Sequence, residues 1–178
     1  MIGYLVVESA EPLGYLGGVL VADEFGLPAE FRHTLPVRPT KLQRALYGNA
    51  LDRYLRSVVI TRRLLAGLEH EPDVVLVADP ILVSPSDIAL GHLTDSGVDP
   101  VGAVGKVEPF AGASAGFLLQ LKAAEAPLRF VTDAPVHVYP EIARALVTAA
   151  ETMDLHEPMA RVRAGLALIA AGDVSLAA

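Results

Sequence analysis

The first 37 residues contain three strand-like segments in succession, with no helical periodicity between them. These segments are residues 2–8, 19–22 and 29–37, joined by a connection rich in Gly and Pro and by an Asp-Glu-Phe-Gly turn. In the third segment Phe31, His33 and Leu35 share one face, while Arg32 lies on the other. Successive strands with short connections predict an antiparallel meander, so the rest of the chain is expected to build onto that sheet.

After the meander, helical and strand patterns alternate. Thr40 and Gln43 have the spacing of a capping box and predict a helix start, followed by helical periodicity to about Leu68 with a break expected at Gly48-Asn49. Further strands are predicted at residues 74–77, 101–104 and 128–132, and further helices at 86–93, 112–124, 140–153 and 158–171. This order predicts a single α/β domain over residues 1–178, with a mixed sheet and helices on both faces. It matches the element order of the ribonuclease H-like fold.

The composition indicates a folded protein of the cell interior. Hydrophobic residues make up 52% of the chain, which is enough for a sizeable core, and Cys is absent. Disulfides, thiolate metal sites and a Cys nucleophile are thereby excluded. The longest apolar runs, such as residues 164–171, fall short of the roughly 20 residues that a membrane span needs. We therefore expect a soluble, cytoplasmic protein.

Positive charge is concentrated in one segment. Eight of the fourteen basic residues lie between Arg32 and Arg63, opposed only by Asp52, so this window carries net +7 and the other 146 residues carry −14. Such segregation indicates an anionic partner: an acidic protein surface, a partner subunit in a homodimer, or nucleic acid. The candidate binding residues are Arg38, Lys41, Arg44, Arg53 and Arg56. The alternative is a solvated helix face whose arginines pair with the acidic remainder of the chain.

A short stretch in the middle of the chain resembles a known family. Residues 72–79 (Pro-Asp-Val-Val-Leu-Val-Ala-Asp), Pro85 and residues 103–106 (Ala-Val-Gly-Lys) resemble the middle of endonuclease V, a ribonuclease H-like nuclease. The resemblance implies a metal-binding Asp79 that holds Mg²⁺ and a functional Lys106 after a later strand, with Glu8 as a second acid.

The catalytic pattern that this resemblance implies is incomplete. Two-metal phosphoryl transfer needs several converging carboxylates. The helical pattern from Lys41 to Leu68 contains Asp52 as its only acid, and Ser84 stands where the family has a His before Pro85. The leading interpretation is therefore a non-catalytic binding or assembly protein that uses residues 32–63, with a metal-dependent nuclease as the alternative.

A second alternative is a serine hydrolase. Residues 112–116 read Gly-Ala-Ser-Ala-Gly, the pattern of a nucleophile elbow at a strand-to-helix turn. Ser114, Asp133 and His156 follow in the order nucleophile, acid, base. Against this, Pro109 interrupts the preceding segment, and small residues that begin a tightly packed helix give the same pattern. The five His residues are scattered, without the spacing of a zinc motif.

Overall fold

A computed structural model describes residues 1–112 and 114–172. Eight strands form one sheet. Their bounds are Ile2–Ala10 (β1), Gly14–Ala22 (β2), Pro28–His33 (β3), Val74–Val77 (β4), Leu90–Asp95 (β5), Val107–Phe110 (β6), Gly116–Leu119 (β7) and Leu128–Thr132 (β8). The α-helices are Lys41–Tyr47 (α1), Leu51–Arg53 (α2), Thr61–Ala66 (α3), Tyr139–Ala150 (α4) and Glu157–Ala171 (α5). A π-helical segment, Tyr54–Ile60, joins α2 to α3.

The sheet is mixed, with the order β3-β2-β1-β4-β5-β8-β7-β6. Strands β1, β2 and β3 form the antiparallel meander, and β4 and β5 then add parallel to β1. The ribonuclease H-like arrangement predicted from the element order is therefore confirmed. Strands β8, β7 and β6 extend the sheet antiparallel to β5 and to one another.

Strand β1 is buried on both faces of the sheet. Tyr4 and Val6 pack in the cluster under α4 and α5, whereas Leu5 and Val7 pack with Ile60 and its neighbours on the opposite face. A strand covered on both faces needs apolar residues at every position, which explains the unbroken apolar run of β1. Helices on both faces, as predicted, thus hold β1 in the middle of the structure.

Two adjacent glycines on β2 let the helical layers approach the sheet from opposite sides. A Cβ on Gly17 would lie 2.3 Å from Cγ2 of Ile60, and one on Gly18 would lie 3.1 Å from Cδ2 of Leu166. Because successive strand residues face opposite sides, the pair provides one close contact per layer. Gly17 thereby sets the height of the π-helical segment above the sheet.

Three sequence predictions of secondary structure are wrong. Residues 86–93 are not a helix: β5 begins at Leu90, and Gly91 leaves room for the ring of Phe130 on the next strand. Residues 101–104 are not a strand, because Gly102 and Gly105, both with positive φ, form a turn that precedes β6. In residues 86–93, the contact between neighbouring strands outweighs the local helical pattern.

The helix predicted at residues 112–124 is also wrong. Gly116 to Leu119 form β7, in which Phe117 and Leu119 are buried and Leu118 is half-buried, the period-two pattern of a strand. A Cβ on Gly116 would lie 2.0 Å from the carbonyl oxygen of Phe130, so this position pairs closely with β8. None of the helices within the described ranges has both the length and the apolarity that a membrane crossing requires.

Replacing Gly17 with Ala should lower the free energy of unfolding by about 1–3 kcal/mol, because the added methyl group overpacks the contact with Ile60. Urea denaturation followed by circular dichroism measures this. Gly67→Ala is the matched control, since a Cβ there meets its neighbours no closer than 3.4 Å. Equal free energies of unfolding for the two variants would contradict this expectation. That result would show that the π-helical segment shifts to accommodate the methyl group without losing stability.

Candidate functional site

Asp79 lies just beyond β4, at the end of the sheet where the parallel strands finish. It caps the 3-10 turn Pro80–Leu82, because its Oδ1 accepts a hydrogen bond of 3.0 Å from the amide of Ile81. Its Oδ2 accepts a second bond, of 2.8 Å, from Nη2 of Arg56. Both carboxylate oxygens are therefore occupied by donors from this chain.

Arg56 ties the π-helical segment to the ends of two strands. Besides Asp79, its Nη2 donates to the carbonyl oxygen of Val7 at 3.0 Å, and its Nη1 lies 3.7 Å from Oδ2 of Asp52. The side chain is only 17% exposed. Its Nη2 thus binds within the fold, and the burial of the side chain leaves this member of the predicted binding set little access to an external anion.

The pKa of Asp79 is lowered. Partial burial acts to raise this pKa, but the hydrogen bonds from the Ile81 amide and from Arg56 outweigh burial. The carboxylate is therefore ionised at neutral pH, and its charge is balanced by a guanidinium.

Glu8 and Asp79 do not converge. Glu8 lies on the α5 face of the sheet, where its Oε1 accepts a bond of 2.7 Å from Nε of Arg163. Asp79 pairs with Arg56, which belongs to the helical segment on the other face. Lys106 precedes the edge strand β6, four strand positions from β4, or about 19 Å along the sheet at the usual strand spacing. The three residues named for the nuclease alternative are thus held apart.

The residues around Asp79 do not fit Mg²⁺. Magnesium is bound by carboxylates and water in octahedral geometry. Within residues 1–112 and 114–172 there is no group of three His, Asp or Glu side chains that could hold a metal ion. A guanidinium lies beside Asp79 where a nuclease would need the metal.

The proposed elbow precedes a strand. Ser114 lies before β7, and its Oγ accepts a bond of 3.5 Å from Arg129; Ala113 is outside the described residues. His156 ends the turn between α4 and α5, a turn whose Met153 contacts Tyr4 of β1, four strand positions from β7. The geometry required for a strand-to-helix nucleophile turn is not formed here.

Several basic residues of the window form ion pairs or hydrogen bonds with other residues of the same chain. Arg32 pairs with Glu30 and with Glu69, the latter at 2.6 Å. Burial acts to raise the pKa of Glu30, but bonds from Arg32 and from the His70 and Glu69 amides lower it to about 2. Nε of Arg38 donates to the carbonyl oxygen of Leu13 at 2.9 Å, although the side chain is exposed.

Other basic residues of the window face solvent. They are exposed and form no ion pair within the described part of the chain: Lys41, Arg44, Arg53, Arg62 and Arg63. Arg62 and Arg63 lie on α3, whereas Lys41 and Arg44 lie on α1. The positive charge available to a partner is thus smaller than the sequence window suggests.

Residues 38–50, which we term the basic arm, form an ordered but uncovered surface. The capping box predicted from Thr40 and Gln43 is present, with hydrogen bonds of 3.1 and 2.8 Å. Nevertheless α1 contains no buried residue, and Leu42 and Leu46 are 67% and 73% exposed. Four residues apart on a helix, the two leucines lie on one face. The arm therefore presents an apolar pair among three basic residues and no acid.

A groove of about 830 Å³ lies at the opposite end of the sheet, beside the beginnings of β1, β4 and β5 and along α4. Met1, Ile88 and Val138 supply accessible apolar wall, and among the described lining residues Arg144 is the one basic side chain. The acidic lining residues are Glu24, Glu71, Asp73, Asp87, Asp133 and Glu141. We term this the acidic groove. Sequence reasoning missed it because its acids come from separate segments that only the fold brings together.

Comparisons with known proteins bear on the fold alone. No family model matches the sequence, and no curated protein matches it. A crystal structure of human endonuclease V is similar, with a TM-score of 0.46 and 12% identity over 98% of this chain and 85% of that one. The weak resemblance of residues 72–106 is to the same family, and the similarity carries no activity to this chain.

Asp79→Asn should lower the free energy of unfolding by about 1 kcal/mol at pH 7. The effect is modest because the Asp79 side chain is 37% exposed, so that solvent screens its pairing with Arg56. Since the folded pKa is depressed, the stabilisation is present above the unfolded pKa of about 3.9 and is lost as pH falls through the folded value. Urea denaturation across this pH range should show the two proteins converging in stability below about pH 4.

Asp52→Asn is the control for Asp79→Asn. It removes the more distant and more exposed partner of Arg56, so we expect a change within about 0.5 kcal/mol. A stability difference between wild type and Asp79→Asn that stays constant with pH would contradict the role of the charge.

Proposed function

We propose that this is a non-catalytic binding or assembly protein in which residues 32–63 engage an anionic partner surface, chiefly through the basic arm. The observation that carries the proposal is the state of α1. This helix is capped at its start yet buries no residue, so its leucines and its positive charges both face outward. The proposal includes no cofactor, and it includes a cytoplasmic location, with which the cysteine-free sequence is compatible.

The arm has the properties of a preorganised contact surface. Exposed apolar side chains grouped together mark interaction sites more often than scattered ones do. The capping hydrogen bonds of Thr40 and Gln43 fix the first turn before any partner arrives, which lowers the entropy lost on binding. Lys41 and Arg44, on the same helix as Leu42 and Leu46, add attraction for an anion to apolar contact.

Among anionic partners, the arm favours an acidic protein surface over nucleic acid. Leu42 and Leu46 gain nothing from phosphate contacts, whereas an apolar patch on a protein would cover them. The ring of Tyr47 is already stacked on that of Tyr54, with a centroid distance of 4.4 Å, so it is not free to stack on a base. Nucleic acid remains the competing partner to test.

The metal-dependent nuclease and the serine hydrolase stay as alternatives from sequence alone. Labelled DNA and RNA incubated with Mg²⁺ or Mn²⁺ test the first, and a fluorophosphonate probe directed at Ser114 tests the second. Metal-dependent cleavage that is lost in Asp79→Asn would replace our proposal with the nuclease. Labelling of Ser114 that is lost in Ser114→Ala would replace it with the hydrolase.

Reversing two charges of the arm, in Lys41→Glu with Arg44→Glu, should weaken anion binding by at least about tenfold, because the attraction at these two positions becomes repulsion. The probes are labelled duplex DNA, single-stranded RNA and polyglutamate, measured by fluorescence anisotropy at low salt, with self-association measured in parallel by sedimentation. Binding of these three probes to the wild type should weaken as salt rises.

The matched control is Lys106→Glu with Lys122→Glu, which changes the net charge equally at exposed positions outside residues 32–63. We expect this control to bind as the wild type does, apart from a small long-range effect. A wild-type protein that binds none of the three probes and does not associate with itself would contradict the proposed function, as would equal losses in both variants.

A further inference from the structure

The basic arm and the acidic groove lie at opposite ends of the sheet. The arm follows Val37, whose backbone pairs with Tyr15 beside the last residues of β1, through hydrogen bonds of 2.8 and 2.9 Å. The groove includes Ile2, at the start of the same strand. Nine residues of strand span about 30 Å, so the arm cannot reach the groove of its own chain.

The two surfaces are complementary in charge and in polarity. The arm offers three positive charges and no negative one, whereas the groove has six acidic side chains against Arg144 and the amino group of Met1, which lies 2.6 Å from Oδ2 of Asp73. The arm also presents Leu42 and Leu46, and the groove has accessible apolar side chains at Met1, Ile88 and Val138. Its volume of about 830 Å³ falls in the range of roughly 300–1,000 Å³ in which concave sites enclose their ligands.

We propose that the acidic groove receives the basic arm of a second copy of this chain, so that copies associate head to tail. The proposal rests on the proposed function and names the anionic partner as another subunit. Leu42 and Leu46 enter the groove as the i and i+4 anchors of a helix, while Lys41 and Arg44 meet acids such as Asp87 and Asp133. A pair joined in this way keeps a free groove on one copy and a free arm on the other, so the contact is heterologous and further copies add head to tail.

Complementary variants test this directly. The arm variant, Lys41→Glu with Arg44→Glu, keeps an intact groove; the groove variant, Asp87→Lys with Asp133→Lys, keeps an intact arm. Asp87 and Asp133 are exposed and form no ion pair among the described residues, so the groove variant should fold. Circular dichroism checks this, and sedimentation velocity over a wide range of protein concentration measures association.

We expect the wild type to form species that grow past the dimer with concentration, and each variant alone to lose association by at least about tenfold. An equimolar mixture of the two variants should form a dimer and nothing larger, because only one intact arm and one intact groove can meet. Charge controls are Lys106→Glu with Lys122→Glu and Asp99→Lys with Glu108→Lys, which match the changes in net charge at exposed positions outside the segment 32–63 and the groove. Both controls should assemble as the wild type does.

A second pair of variants tests the apolar contribution. Leu42→Ser with Leu46→Ser should weaken association about tenfold without changing the free energy of unfolding, since both leucines are exposed. Leu168→Ser, at another exposed leucine, is the control and should assemble normally. Unchanged association of the arm leucine variant would overturn the proposed insertion.

Other outcomes separate this inference from the proposed function. A groove variant that associates like the wild type, beside an arm variant that does not, overturns the groove as acceptor and leaves the arm as a symmetric contact. A wild-type protein that stays monomeric overturns self-assembly, whether or not the groove then binds a small cation such as spermine. If the monomer still binds DNA, RNA or polyglutamate through the arm, the proposed function stands without self-assembly. If it binds none of them, the proposed function and the self-assembly inference are both overturned.

Discussion

The contact of Arg56 with Asp79 and Val7 determines what the end of this sheet can do. One guanidinium nitrogen reaches the carbonyl at the end of β1 and the carboxylate after β4, two strands that lie side by side. The side chain is mostly enclosed, so its charge has to be matched where it lies. A positive side chain therefore lies beside Asp79, and Asp79 serves as its counter-charge.

Helix α1 stands apart from the helical segment that Arg56 anchors to the sheet. From Leu51 onward the helical segment is held to the sheet by Leu55, Ile60 and Leu64, which are buried, and by Arg56. Before Leu51, the 3-10 turn Gly48–Ala50 changes the direction of the chain, and no residue of α1 reaches the core. Helix stability in proteins comes mostly from packing of an apolar face. Helix α1 has seven residues and a capping box, but it does not contact the core. On our proposal, another molecule packs against its apolar face.

The sequence specified those features that depend on neighbouring residues. The capping box of Thr40 and Gln43 and the unbroken apolar run of β4 are both present as predicted. Features that depend on distant residues could not be predicted. Gly91 and Gly116 lie in strands because Phe130, many residues away, needs the space that they leave, while their local patterns favoured helices. The pairing of Arg56 with Asp79 and the convergence of the groove acids likewise depend on the strand order, which no local pattern reveals.

The positive charges of the basic arm and the negative charges of the acidic groove lie at opposite ends of the folded chain. This separation affects how association between copies depends on salt. Each copy carries a net charge of −7, so two copies repel each other at long range. Salt screens that repulsion over a Debye length of about 10 Å at 0.1 M, whereas charges in contact inside a partly closed groove are screened much less. Moderate salt therefore removes the long-range opposition before it weakens the contact between arm and groove. Association through this contact should accordingly be strongest at intermediate ionic strength, whereas binding of a polyanion would weaken steadily as salt increases.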